Sequence, residues 1–153
     1  PTLGASIMDL QEPDVKMSTS SSTENGLIYI DDEPEAILKK VKRAQTDSDA
    51  RVVRAPDKPG VTNLIDMLAV ARDTTPERIE QEFDGQGYGA FKDAVGEALV
   101  EMLTPVRERY RELRADEAAI ETALKRGAEQ ARAIAAGTMD EVRAAMGIGR
   151  PPV

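Results

Sequence analysis

The chain has 153 residues, a length that suits one domain or slightly more. Its net charge of −8 argues against a protein built mainly for non-specific nucleic-acid binding. It contains neither cysteine nor histidine, which excludes disulfides, thiolate or imidazole metal sites and histidine-dependent catalytic triads.

The first 33 residues differ in composition from the rest of the chain. Ile7–Leu10 is apolar and predicts a short strand, and Leu27–Ile30, after a polar loop, predicts a second short strand or an extended connector. No apolar run in the chain approaches the about 18 residues of a membrane span. We therefore expect a cytoplasmic protein that makes no membrane contact. Because the sequence opens on Pro1 without an initiator Met, we also expect a fragment of a longer protein.

The polar loop contains the segment Lys16-Met17-Ser18-Thr19-Ser20, which places one lysine beside a run of hydroxyl residues. Small hydroxyl side chains leave backbone N–H groups accessible, and a lysine adds a point charge, so the combination suits an anion such as a phosphate. On these residues alone, a flexible serine-rich linker is the simpler interpretation.

Helical patterns begin at residue 34, where Asp32 is positioned to cap the first helix. Apolar residues at helical spacing predict the first three helices over Pro34–Gln45, Val61–Asp73 and Pro76–Phe83. Three glycines in Gly85–Gly89 are expected to break regular structure, as a tight turn that brings two helix backbones together.

The second half of the chain carries the longest helical pattern, from Phe91 to Leu113, with Pro105 expected to kink it. Asp116 is predicted to cap the next helix. A capping box that starts at Thr138 predicts a separate last helix, ended by Gly147. The pattern as a whole indicates a mainly α fold, a helical bundle preceded by the edge of another domain.

Two groups of cations are candidate nucleic-acid contacts. They are Lys39, Lys40, Lys42 and Arg43 on one predicted helix, and Arg107, Arg111 and Arg114 on another. The three arginines share a helix face because they lie at i, i+4 and i+7. The simpler interpretation of both groups is an ordinary solvated helix face with surface ion pairs. Contact with an RNA backbone is the more specific alternative. No spacing of carboxylates indicates a metal site.

Several short motifs then follow one another in a fixed order. After the Lys-Met-Ser-Thr-Ser segment come Thr46-Asp47-Ser48, Lys58-Pro59-Gly60-Val61-Thr62-Asn63-Leu64, Gly87-Tyr88-Gly89-Ala90-Phe91-Lys92 and Gly127-Ala128-Glu129-Gln130-Ala131. The series resembles the C-terminal half of the bacterial tryptophanyl-tRNA synthetases, a family of class I aminoacyl-tRNA synthetases, over nearly all 153 residues. The segment 16–20 is similar to the Lys-Met-Ser-Lys-Ser signature of that class, and we call it the signature loop.

The resemblance implies an ATP-dependent ligase that activates tryptophan with ATP and Mg²⁺ and transfers it to tRNA as a homodimer. In that family the signature loop closes over the ATP phosphates. Lys16 would carry the catalytic charge, with Met17, Ser18, Thr19 and Ser20 completing the phosphate loop. Residues 1–33 would be the C-terminal edge of the nucleotide-binding α/β catalytic domain, 34–147 a helical domain that faces tRNA, and 148–153 a tail.

Two departures from the family pattern limit what this chain is expected to do. Thr19 replaces the second lysine of the signature, and we expect Lys16 together with a group elsewhere to suffice. The histidine-containing signature of the class is missing because the chain has no histidine, so we expect the chain alone to be inactive. The alternatives are a stand-alone helical module that binds tRNA or a protein, and a purely structural bundle.

Overall fold

The computed structural model describes Gly4, residues 6–20 and residues 22–148. It is mainly α, as predicted, with five helices in the described residues: α1 (Pro34–Lys42), α2 (Pro59–Ala71), α3 (Pro76–Glu82), α4 (Gly87–Ala115) and α5 (Glu117–Ala145). The chain forms two compact units, one ending at Glu108 and the other beginning at Arg109. No described helix has the length and apolar character needed to cross a bilayer.

The core of the first unit is formed by one face of each of its helices. Ile37 and Val41 of α1, Ile65 and Leu68 of α2, Ile79 of α3 and Phe91 and Val95 of α4 are at most 1% exposed. Phe83 meets Phe91 edge to face, with 5.4 Å between ring centroids. These positions repeat at helical spacing, which is why the sequence pattern identified the helices correctly.

Neither segment forms a strand, so of the two alternatives for Leu27–Ile30 the connector remains. Within the described residues 6–20 and 22–148, a single antiparallel bridge joins Met8 and Lys16. Leu10 and Leu27 are 2% and 5% exposed, so these segments are apolar because each inserts a leucine into the core. The Leu10 amide donates to the Gly26 carbonyl at 2.8 Å, and no ladder extends from that contact.

Proline opens three of the five helices, at Pro34, Pro59 and Pro76. This placement is favourable because the first turn needs no N–H donor at that position. Asp32 does not cap α1, contrary to the prediction, because Glu33 occupies the cap position. The Asp32 carboxylate instead accepts a hydrogen bond from the Tyr29 amide at 2.9 Å.

In the segment Gly85–Gly89, the turn ends where helix α4 begins, at Gly87. Helix α4 begins at Gly87, so the prediction of a break across the whole of Gly85–Gly89 was wrong. Gly85 and Gly87 have φ values of +72° and +73°, which L side chains rarely adopt. A Cβ at Gly85, Gly87 or Gly89 would meet no atom within 4 Å, so none of them is needed for close approach of helices, and Gly85 and Gly87 serve the backbone conformation of the turn.

The second unit contains the end of α4 and all of α5. Asp116 caps α5 as predicted, its side chain accepting from the Ala119 amide at 2.9 Å. The predicted separate last helix was wrong, because α5 continues to Ala145 and the Thr138 hydroxyl donates to Ile134 O at 3.4 Å within the helix.

Gly147 ends α5 with φ of +69°. Its amide donates to Ala144 O at 3.2 Å, and the Ile148 amide donates to Arg143 O at 2.9 Å, the two bonds of a Schellman motif. Of the predicted tail 148–153, residues 149–153 lie outside the described part of the chain.

Candidate functional site

The start of the signature loop is hydrogen-bonded to the backbone of residues 7–10, which we call the loop frame. The Met17 amide donates to Ile7 O at 3.0 Å, and the Asp9 amide donates to Val15 O at 2.8 Å. These two bonds flank Lys16. The backbone from which the Lys16 side chain leaves is therefore fixed on both sides by the loop frame.

The side chains of the loop divide between core and solvent. Met17 is half-buried and packs against the core of the first unit, which explains an apolar residue inside a polar run. Lys16, Thr19 and Ser20 are exposed. Within the described part of the chain, the Lys16 ammonium has no acidic partner, so its charge faces solvent where a phosphate could reach it.

The serines of the loop are bonded to one another. The Ser18 and Ser20 hydroxyl oxygens lie 2.9 Å apart. The Ser18 amide donates to the Ser22 hydroxyl at 3.0 Å, and the Ser22 amide donates to Ser18 O at 2.9 Å. The end of the loop is therefore closed on itself through Ser22.

The loop frame is held from its other side by Asn63 of α2. The Met8 amide donates to Asn63 Oδ1 at 2.9 Å, and Asn63 Nδ2 donates to Met8 O at 2.9 Å. The Asn63 side chain, 5% exposed, thus offers Met8 the donor and acceptor that a neighbouring strand would offer. The Gln45 amide also donates to Leu10 O at 2.7 Å, which ties the frame to the segment after α1.

Three of the motifs that carried the family resemblance meet at one charge cluster, formed by Asp47, Asp49, Lys58 and Tyr88. Lys58 Nζ donates to Asp47 Oδ1 at 3.1 Å, to Asp49 Oδ1 and to Tyr88 Oη at 3.2 Å. Tyr88 Oη donates to Asp47 Oδ1 at 2.7 Å. The Lys58 side chain is 5% exposed, so this buried cation is surrounded by groups that accept hydrogen bonds.

Two further contacts bring the same motifs together around residues 44–47. Lys92 Nζ donates to Ala44 O at 2.7 Å. A Cβ at Gly60 would lie 2.1 Å from Gln45 O, so only glycine lets α2 start this close to that backbone. The motifs are separated in sequence by up to about 40 positions and are joined by one set of contacts.

The pKa values in the cluster favour the charged forms of its acids and base. The hydrogen bond from Lys58 holds the pKa of Asp49 well below its usual range. Burial acts to raise the pKa of Asp47, but the hydrogen bonds from Tyr88, the Asp49 amide and Lys58 outweigh it and the pKa is lowered. Burial opposes the charge on Lys58, and the bonds to Asp49, Tyr88 and Asp47 raise its pKa instead. Each charge is stabilised by a partner of opposite sign.

Replacing Lys58 by Met should lower the melting temperature of the chain by several degrees. The change leaves the Asp47 and Asp49 carboxylates, 28% and 38% exposed, without their shared cation, so both lose a charged hydrogen bond and repel each other. The matched control is Lys42→Met, since Lys42 is 75% exposed and lies 3.8 Å from an exposed Asp93. Equal melting temperatures for the two variants would contradict a stabilising role for the cluster.

The candidate tRNA contacts are not all exposed. Lys40 is 6% exposed and pairs with Asp32 Oδ2 at 2.5 Å. Arg107 is 5% exposed and donates to Asp32 O at 3.0 Å and to Thr104 Oγ1 at 3.2 Å. Both cations therefore fix the chain around Asp32, and their charged ends point into the first unit.

The remaining members of the two groups lie at the surface. Lys39, Lys42 and Arg43 are exposed on or just after α1, and Arg111 and Arg114 are exposed on the part of α4 that belongs to the second unit. No group of three potential metal-ligating side chains occurs among the described residues.

Sequence reasoning missed Asn63 and Asp9 as supports of the loop. Asn63 lies among buried positions of α2, between Val61 and Leu64. A polar side chain on the core face of a helix has to find hydrogen-bond partners, and this signal was available in the sequence. Asp9, 3% exposed, gave no comparable signal because its partners come from turns that the sequence pattern does not fix.

A family model described as tRNA synthetases class I (W and Y) matches residues 2–104 of the chain. The tryptophan–tRNA ligase of Clostridium perfringens is 44% identical over 148 residues, which cover 97% of this chain and 45% of the relative. Tryptophan–tRNA ligase 1 of Streptomyces coelicolor is 45% identical over 154 residues, covering 100% of this chain and 45% of the relative. The chain thus spans somewhat less than half the length of the curated relatives it matches.

Solved structures of tryptophanyl-tRNA synthetases are also similar to this chain. The crystal structure of tryptophanyl-tRNA synthetase from Mycoplasma pneumoniae matches with a TM-score of 0.77 and 32% identity, covering 97% of this chain and 47% of that one. The enzyme from Campylobacter jejuni, at 24% identity and a TM-score of 0.65, shows the same fold.

Proposed function

The chain belongs to the class I tRNA synthetases of the tryptophan and tyrosine group, and from this membership we propose that it is the C-terminal half of a tryptophan–tRNA ligase. The intact enzyme would activate tryptophan with ATP to the adenylate and transfer it to tRNA. The proposed specificity for tryptophan is supported by relatives at 44% and 45% identity that are tryptophan–tRNA ligases.

The observation that carries the proposal is the exposed Lys16 on a backbone fixed by the loop frame. Its ammonium is available to stabilise negative charge that develops on the pyrophosphate leaving group. Such stabilisation is electrostatic and depends on a charge that is in place before the reaction. A lysine on a fixed backbone meets that requirement better than one on a free linker.

The hydroxyls of the loop would complete the phosphate contacts. Ser18 and Ser20 at present satisfy each other at 2.9 Å, and the exposed Thr19 offers a third hydroxyl. These groups can turn toward phosphate oxygens without breaking any core contact. Mg²⁺ would arrive with the ATP phosphates and supply charge neutralisation there.

We also propose that the intact ligase is a cytoplasmic homodimer and that the exposed cations of this chain approach the tRNA backbone. Lys39, Lys42 and Arg43 form one such group and Arg111 and Arg114 another. Lys40 and Arg107 are left out of this proposal because both are buried, Lys40 bonded to the Asp32 carboxylate and Arg107 to the Asp32 carbonyl. Exposed lysines and arginines are the groups that contact phosphates without reading sequence.

The purified 153-residue chain should show no tryptophan-dependent ATP–pyrophosphate exchange. The reason is that it has no histidine and spans 45% of its curated relatives, so the nucleotide and tryptophan pockets are not expected within it. The companion measurement is the same exchange by the chain extended with its in-frame upstream coding sequence, which should be active. Exchange by the short chain would contradict the proposed division of the active site, and an inactive extended protein would contradict the proposed function.

A further inference from the structure

A buried carboxylate lies in the loop frame that supports the signature loop. Asp9 is 3% exposed, and its Oδ1 accepts from the Gln11 amide at 2.7 Å and from the Glu12 amide at 3.0 Å. A Cβ at Gly26 would lie 2.3 Å from both carboxylate oxygens, so glycine at that position makes room for the carboxylate. Asp9 is therefore a fixed point in the structure rather than a mobile surface acid.

The far end of the loop closes on Ser22. The Ser22 hydroxyl oxygen accepts from the Ser18 amide at 3.0 Å, and the Ser22 amide donates to Ser18 O at 2.9 Å. A serine hydroxyl suits this position because its oxygen can accept a bond while its O–H remains a donor. Burial acts to raise the pKa of Asp9, but the Ser22 hydroxyl and the Gln11 and Glu12 amides outweigh it and the pKa is lowered, so the carboxylate stays charged.

We propose that Asp9 and Ser22 are positioning residues that hold the signature loop in place for catalysis, Asp9 binding the Gln11 and Glu12 amides beside the loop frame and Ser22 binding the Ser18 amide. This inference rests on the proposed function of the loop. The loop frame fixes the backbone around Lys16, and Ser22 fixes the other end of the loop at Ser18. With both ends held, the Lys16 ammonium and the loop hydroxyls approach the phosphates from a defined backbone, which is how supporting residues raise catalytic rate.

The bond between the Ser18 amide and the Ser22 hydroxyl predicts slow hydrogen exchange at that amide. In the 153-residue chain, Ser22→Ala removes the acceptor of the Ser18 N–H, so hydrogen exchange at that amide should become faster. Ser22→Thr keeps a hydroxyl and should restore slow exchange. Thr23→Ala removes a hydroxyl from the next position, which is exposed, and should leave Ser18 unchanged. Equal exchange at Ser18 in all four proteins, wild type included, would overturn the contact between Ser22 and the Ser18 amide.

The catalytic role is tested in the intact ligase. Ser22→Ala should lower kcat for tryptophan-dependent ATP–pyrophosphate exchange roughly fivefold or more, as expected for one lost hydrogen bond, with KM for tryptophan unchanged. Ser22→Thr should recover the wild-type kcat, and the urea midpoint of all variants should stay the same. An active wild type with an equally active Ser22→Ala variant would overturn the positioning role alone. An inactive wild type would overturn the proposed function and this role together.

Discussion

Replacing Asn63 by Ala is expected to lower the free energy of unfolding of the first unit by about 2–4 kcal/mol. The change removes both hydrogen bonds to Met8, at 2.9 Å each, and leaves a backbone donor and a backbone acceptor without their partner. A buried hydrogen-bond donor or acceptor without a partner destabilises the folded state by about 1–3 kcal/mol, and Met8 is half-buried. Urea denaturation should show a lower midpoint with an unchanged slope.

Two further variants separate the hydrogen bonds from other effects at Asn63. Asn63→Asp keeps the acceptor for the Met8 amide but brings a negative charge to the Met8 carbonyl, so it should destabilise at least as much as Ala. Asn25→Ala makes the same change at an exposed position and should stay within about 0.5 kcal/mol of wild type. Faster hydrogen exchange at the Met8 amide should accompany the Asn63 variants only. A stable Asn63→Ala protein with a protected Met8 amide would show that the loop frame is held by other contacts.

Replacing Lys16 by Met in the intact ligase is expected to lower kcat for tryptophan-dependent ATP–pyrophosphate exchange by about 10²–10³-fold, by analogy with removing one preorganised oxyanion donor. Because Lys16 is exposed, the variant should unfold at the wild-type urea concentration. Lys125→Met is the matched control, since Lys125 lies on α5 and pairs with Glu121 at 3.0 Å on the surface. A Lys16→Met enzyme with full activity would remove the loop from the proposed mechanism.

At the place of the second signature lysine, we expect little change in activity. Thr19 is exposed and stands where the family signature has a lysine. If Lys16 and a group elsewhere already supply the needed charge, Thr19→Lys in the same enzyme should change kcat by less than about threefold. A large increase would mean that this loop lacks a charge that the reaction requires.

The first four helices and their order could be predicted from the sequence because a helix depends on neighbours three and four positions apart, whereas the last two predicted helices are one helix, α5. Residues such as Ile37, Val41, Leu64 and Leu68 carry that period, and all are at most 1% exposed. Capping at Asp116 was equally local, since its bond reaches only Ala119. The family resemblance and the position of the signature loop also came from the order of motifs in the chain.

Partners that lie far apart in sequence could not be predicted in this way. The segments 7–10 and 27–30 have the apolar character of strands, but Met8 finds its hydrogen bonds on a side chain 55 positions away. Lys40 and Lys39 are adjacent in a cationic run, and only the position of Asp32 decides that one is buried while the other is exposed.

By itself, the sequence determined the mainly α fold, the order of the helices, the family resemblance and the presence of one lysine in a hydroxyl-rich loop. Only the tertiary structure decided how that loop is supported. It pairs the Asn63 side chain with the Met8 backbone, closes Ser18 onto Ser22, and gathers Asp47, Lys58 and Tyr88 into one cluster. The physical reason is that a buried polar group must find a partner in space, and which partner it finds depends on packing between segments that no local pattern encodes.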